Sequence, residues 1–342
     1  HSRNLNNYSR ACRWPFKSQG RQEIMLEFYE NINSKVSKSM RSLWAILIGM
    51  FVITGIVDPY FFSIPSIGVT LQLAAPLGLL AAGQTICMLT GGIDLSIAMI
   101  ATGAAYIVSV KSQDGLVSAM LYALLYCIVV GSINGLAVGL LGMNPLIMTL
   151  GMNAILIGVF TVGVSTFLKG NTTMPDILVK LSSGTLAGPF SWPLLVWLII
   201  GGLVLFILAR TGLGRLIYAV GDNAKSARLA GVKVWQVQWA TYVLCAILGG
   251  MGGMMLGGQS GAVAISLANS YMLPSVAAVV IGGTSIMGGI GGYTGSIMGA
   301  LILTILSYLL AALNSSEAIK QVIYGSIVLA LAWIYVKISE KS

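Results

Sequence analysis

The stretch RTGLGRLIYAVGDNAKSARLAGVK, residues 210–233, is a charged, turn-rich island between two apolar runs, 193–209 and 235–257. It carries five basic residues, Arg210, Arg215, Lys225, Arg228 and Lys233, against one acid, Asp222. Its flanks hold no charge at all. Each is close to the ~20 residues that a helix needs to cross a ~30 Å hydrocarbon core. The island therefore reads as an aqueous loop joining two membrane spans.

Composition extends that reading to the whole chain. Charged residues make up 8% and hydrophobic residues 56% of 342 residues, against roughly 25% charged in a soluble domain. Such a chain cannot cover a soluble surface, and its long apolar runs do not resemble the ~10-residue alternating segments of a β-barrel. The fold class is an all-α polytopic membrane protein. Ten spans are expected, at about 43–57, 67–91, 94–110, 116–141, 145–167, 193–209, 235–257, 272–287, 292–313 and 318–336.

Charge sets the orientation. Lysine and arginine accumulate in cytoplasmic loops. With the N-terminus inside and residues 1–24 left out of the count, ten of them fall inside (Lys35, Lys38, Arg41, the five of the island, Lys337 and Lys341) and four outside (Lys111, Lys169, Lys180 and Lys320). The island 210–233 and both termini are then cytoplasmic, and 168–192 is the largest external loop. The same bias accounts for the net charge of +9 without a nucleic-acid partner. The division expected is a cytoplasmic tail over 1–42, a membrane domain over 43–336, and a short tail over 337–342. Residues 1–24 lack the apolar core of a signal peptide. Met25 precedes a plausible start, so 1–24 read as an upstream extension or a flexible tail.

Chemistry is sparse. The four cysteines show no CxxC spacing and the only histidine is His1, so no metal site is expected. No G-x-x-x-x-G-K-[ST] loop is present to cradle a phosphate, and no ordered catalytic set exists. Forty-two glycines, dense at 249–261 and 282–299, let helices approach closely where lipid supplies no hydrophobic drive between them. Gly91-Gly92-Ile93-Asp94 echoes Gly288-Gly289-Ile290-Gly291, which suggests a parallel internal repeat. Asp94 is the one charge near a span interior. Such a residue is a functional candidate, yet it also stands where a carboxylate can brace the first turn of a helix.

Within the island, Asp222 or Asn223 is a suitable N-cap, Ala224–Ala230 a short helix, and Gly231 its C′ residue. A loop that merely anchors to headgroups needs no such defined start and stop. A docking role for this short helix is the competing reading.

The motifs resemble those of one family. The runs 210–215, 219–223 and 227–232 of the island are similar to the cytoplasmic loop of ribose-type sugar permeases, the membrane subunits of bacterial ATP-binding-cassette importers. So are Gly91-Gly92-Ile93-Asp94-Leu95-Ser96, the segments 131–136 and 144–151, and Gly282-Gly283-Thr284 through Gly288-Gly289. Order and spacing agree over roughly 43–336. Ile97-Ala98 and Ile290 depart from the usual residues of that pattern. The resemblance implies an inner-membrane permease paired with a second permease, identical or related. It also implies a periplasmic or lipoprotein binding protein and a cytoplasmic ATPase that alone uses ATP and magnesium. The chain itself would hold no cofactor and catalyse nothing. The island becomes the coupling element, with Gly214, Arg215, Gly221, Asp222, Asn223, Ala227, Arg228 and Gly231 in contact with the ATPase or shaping the loop. A neutral sugar needs neutral polar groups along its path, and Gln72, Gln84, Asn134, Asn144, Thr149 and Asn153 are the candidates. The same amides also serve as helix-to-helix hydrogen bonds. The rival class is a gradient-driven transporter or channel for a small neutral solute.

Overall fold

A computed structural model of the chain describes residues 40–339 except Phe167. The expected N-terminal tail up to residue 39, with Cys12, Lys35 and Lys38, and the last residues of the C-terminal tail lie outside the described residues. The chain divides into compact units at Ser42; of the first, only the opening residues of helix α1 are described.

Twelve helices carry the described chain: α1 (Met40–Val57), α2 (Ile64–Leu89), α3 (Ile97–Lys111), α4 (Leu116–Gly139), α5 (Pro145–Ser165) and α6 (Asp176–Ser183), then α7 (Trp192–Arg210), α8 (Gly212–Leu229), α9 (Val234–Ser260), α10 (Met272–Ile281), α11 (Tyr293–Ala312) and α12 (Glu317–Ser339). Ten answer to the ten expected spans; α6 and α8 lie in the loops between them. Seven are long and apolar enough to cross a membrane unaided. The two shortest of the ten are α3 and α10, and α10 ends before the expected 287. Their 15 and 10 residues reach only about 22 and 15 Å at 1.5 Å per residue. Glycine-rich breaks, over 90–96 and 282–292, cut them short. The two breaks share one end of the bundle, as their sequence echo implies, although the helices flanking them differ in length.

The centre of the bundle is α9, which packs against α2, α3 and α4. Close approach is set by small residues. On α4, Gly131, Gly135 and Gly139 recur every fourth residue, on one helical face. A Cβ at Gly135 would lie 2.7 Å from the Cα of Trp239. On α9, a Cβ at Gly253 would lie 1.9 Å from the carbonyl oxygen of Ala101. Contacts this close draw on dispersion rather than on hydrophobic transfer, which is the available driving force inside lipid. A buried polar strut joins three helices: Trp197 Nε1 donates to the Tyr293 hydroxyl (2.7 Å), which donates to the carbonyl of Gly78 (2.9 Å). Large apolar side chains on α4, α5 and α7 face outward, among them Leu121, Ile155 and Ile199, as lipid-facing surfaces require.

The loop expected at 168–192 is structured. It holds α6 and a hairpin, β1 (Thr185–Ala187) antiparallel to β2 (Phe190–Ser191), and the Met174 amide donates to the carbonyl of Gly261 at the end of α9 (2.9 Å). This marks the end of the bundle opposite the breaks.

Candidate coupling site

The island folds as two helical pieces, not one. Thr211 caps the first: its Oγ1 accepts from the Gly214 amide (3.2 Å). Gly214 is needed because the chain folds back under the last turn of α7, where a Cβ would lie 2.3 Å from the Leu208 carbonyl oxygen. Helix then continues to Asp222, although the sequence reading placed turns here. Ile217 and Val220, both buried, hold this piece against Leu89 at the end of α2 and Leu208 of α7. Arg215 is exposed.

Asn223 breaks the helix with φ −155° and ψ 95° and starts the second piece, its Oδ1 accepting from the Ser226 amide (2.9 Å). Of the two expected N-caps, Asn223 is the one used. The end is a Schellman motif: the Val232 amide donates to the Ala227 carbonyl and the Gly231 amide to that of Arg228, both at 3.0 Å, with Gly231 at φ +87°. Ala227 is buried, while Asp222, Lys225 and Arg228 are exposed. Replacing Asn223 by alanine removes a cap, at a cost of about 1 kcal/mol within a range of roughly 0.5–2. Amide exchange over residues 225–229 is expected to quicken about 5-fold; unchanged exchange would show that the cap does not hold this helix.

The two breaks and the island meet. The Gly289 amide donates to the Leu89 carbonyl (3.0 Å), tying the second break to the start of the first. Gly221 lies directly on that bond. A Cβ there would be 1.8 Å from the Leu89 oxygen and 2.6 Å from the Gly289 nitrogen. Gly288, at φ +92°, is equally enclosed, its Cβ position being 2.8 Å from the Gly91 nitrogen and 3.0 Å from the Gly221 oxygen. A second tie runs from the Tyr218 hydroxyl to the Gly291 carbonyl (3.0 Å). Burial raises the Tyr218 pKa, so it remains a donor. Of the signature residues, Gly91, Gly288 and Gly289 thus form the junction itself. Gly282 abuts Gly295, and Gly283 takes a left-handed turn at φ +83°. Thr284 closes the second break by accepting from the Gly292 amide (3.2 Å).

The first break is braced by residues that the sequence reading assigned to a sugar path. Asp94 Oδ1 accepts from the Ser96 amide (2.9 Å) and from its hydroxyl (2.5 Å). Gln84 clamps the Asp94 backbone from both sides, Nε2 donating to its carbonyl (2.6 Å) and Oε1 accepting from its amide (3.2 Å). Asn134 Nδ2 donates to the Ser96 hydroxyl (2.9 Å). Thr149 accepts from the Leu95 amide (3.1 Å). Gly92 packs against the hydroxyl of Tyr242. Gln84, Asn134 and Thr149 are fully buried, and these bonds are of the bracing kind that the sequence also allows them. Asn144 caps α5, accepting from the Leu146 and Ile147 amides. Gln72 presents its carbonyl to Gln259 Nε2 (3.0 Å), and Asn153 is half-buried on α5. For Asp94 the bracing alternative is the one that the hydrogen bonds describe.

Sequence reasoning missed the exposed apolar side chains of the island and the second break. Leu229 is 83% exposed, Met287 70% and Ile290 67%. A large apolar residue at the tip of a capped charged helix is the signal that was available.

Residues 66–332 match the family described as "Branched-chain amino acid transport system / permease component". Among curated proteins, the chain is similar to the autoinducer 2 import system permease protein LsrC of Yersinia pseudotuberculosis serotype O:3 (strain YPIII), 31% identical over 314 residues, which cover 90% of this chain and 86% of that protein. It is similar to the LsrC of Yersinia pestis (strain Pestoides F) with the same identity and coverage. No solved structure matches the chain. Since the match takes in the whole island, both breaks and most of the bundle, the chain belongs to this family of transport-system permeases and is a multi-pass membrane permease subunit.

Proposed function

We propose that the chain is the translocating subunit of an importer that takes up a neutral monosaccharide or related small polyol. A second permease would complete the pathway, an extracytoplasmic binding protein would deliver the sugar, and a cytoplasmic ATPase would seat against α8. The chain would catalyse nothing; ATP and magnesium would act at the partner. The ten-to-four distribution of basic residues after residue 24 supports placing both termini and the coupling site in the cytoplasm. The observation that carries the reading is the junction of Gly221 with Leu89 and Gly289. A push on the capped end of α8 reaches both breaks through backbone contacts, without a flexible side chain between.

The substrate class rests on neutrality. A branched-chain amino acid, named in the family description, carries two formal charges. Among the described residues Asp94 is the only buried charged one, and it is engaged by Ser96. The LsrC relatives are named for autoinducer 2 import, which fits a small polar signal or sugar. A gradient-driven transporter is less well supported, because its one candidate charge serves the first break.

The test is co-purification of the permease from the membrane of its host. An ATPase is expected to accompany the wild-type chain, and Leu229→Asp is expected to reduce that association at least 10-fold while leaving abundance unchanged. Absence of any ATPase from the wild-type preparation would remove the importer reading.

A further inference from the structure

At the end opposite the coupling site, α2, α10, α11 and α12 enclose a cavity of about 300 Å³. That lies at the lower limit of the roughly 300–1,000 Å³ of small-molecule sites. Its lining is largely apolar, with Leu77 and Leu303 among the residues, and polar groups of Thr70, Tyr271, Thr304, Glu317 and Lys320 are set into it. Thr70 and Thr304 each donate to a carbonyl one turn back on their own helix, Ser66 and Ala300 respectively. Their oxygens are thereby turned into acceptors toward the space. The Tyr271 hydroxyl has no hydrogen-bond partner among the described residues. At the rim Lys320 and Glu317 pair at 3.5 Å, and Gln321 holds the other Glu317 oxygen (3.1 Å). The ammonium keeps donors to spare.

We propose that this cavity is a polyol site on the delivery side of the permease, which holds a neutral sugar by its hydroxyls before passage. The inference rests on the sugar-importer reading above. Each sugar hydroxyl is at once a donor and an acceptor. The polar groups of the lining offer both: acceptors at Thr70, Thr304 and Glu317, donors at Lys320, and both at Tyr271. The apolar part of the lining suits the C–H face of a ring. An acyl chain would leave the Tyr271 hydroxyl and the spare Lys320 donors without partners, which is costly. None of these residues belongs to the six amide and threonine candidates of the sequence reading, four of which serve the first break or the start of α5.

The experiment uses the permease–ATPase complex reconstituted with its binding protein, and measures uptake of ribose, xylose, galactose, myo-inositol and autoinducer 2. Tyr271→Phe combined with Thr304→Val removes hydroxyls while keeping shape. Uptake of whichever probe the wild type transports is expected to fall at least 10-fold, with basal ATP hydrolysis unchanged. Tyr271→Phe alone is expected to lower it at least 3-fold, which keeps the site testable should the double variant fold poorly. Undiminished uptake by the variants overturns the site and leaves the importer reading intact. Uptake of none of the probes by the wild-type complex overturns the sugar reading beneath it.

Discussion

Gly221→Ala is expected to lower uptake at least 100-fold while the protein inserts at normal abundance. The added methyl has no rotamer by which to escape. Its position is 1.8 Å from the Leu89 carbonyl oxygen and 2.6 Å from the Gly289 nitrogen, the two atoms that hydrogen-bond to join the breaks. Carbon and oxygen sit at about 3.3 Å or more even in the closest favourable contacts, so α8 must lift by an ångström or more, or the Leu89–Gly289 bond must open. Either change separates the capped helix from the elements it is to move. The hydrophobic anchors Ile217 and Val220 remain, which is why insertion survives. Gly212→Ala is the control, since its nearest neighbour there is an Arg215 side-chain nitrogen 4.0 Å away; its uptake is expected to stay within 2-fold of wild type. Normal uptake by Gly221→Ala at normal abundance would show that the junction does not carry the coupling.

That outcome turns on a contact that no sequence reading of single elements contains. The apolar runs made the ten helices legible because membrane spans must be long and continuous. The caps of the island were legible for a similar reason, as Asn223, Gly231 and the intervening alanines act within one turn. Helix 212–222 was not legible. Gly212, Gly214 and Gly221 each lower helix propensity by about 1 kcal/mol relative to alanine, and only the tertiary contacts of Ile217 and Val220 recover it. The shortness of α10 was hidden as well, because 282–287 reads as the continuation of the expected span 272–287, whereas the helix ends at Ile281. The polar residues admitted two readings from the start. Gln84, Asn134 and Thr149 are neutral, buried and polar, which describes a sugar path and a hydrogen-bonded strut equally well. Distance alone separates the two, and the partners lie as far apart in sequence as Leu95 and Thr149.

Asp94 offers the sharpest test of that distinction, through two substitutions with opposite expectations. Asp94→Asn keeps an oxygen at the Oδ1 position, so the bonds from the Ser96 amide and hydroxyl persist. It also removes a buried charge for which no basic partner is found among the described residues. Uptake by this variant is expected to stay within about 3-fold of wild type. Asp94→Ala instead strands the Ser96 amide at the head of α3, inside a fully buried site. An orphaned buried donor costs about 1–3 kcal/mol, and the Ser96 hydroxyl loses its acceptor as well, leaving only the Asn134 bond. Since 1.4 kcal/mol is a factor of ten, the break is expected to loosen by one to two orders of magnitude. Uptake should fall at least 20-fold, with a lower thermal midpoint for the purified protein. The Gln84 clamp acts on the Asp94 backbone and is untouched by either change, so the pair isolates the side chain. Should Asp94→Asn lose uptake as completely as Asp94→Ala while its thermal midpoint stays at the wild-type value, the carboxylate charge itself would be acting in transport. Asp94 would then belong to the mechanism of translocation and not to the scaffold of the first break.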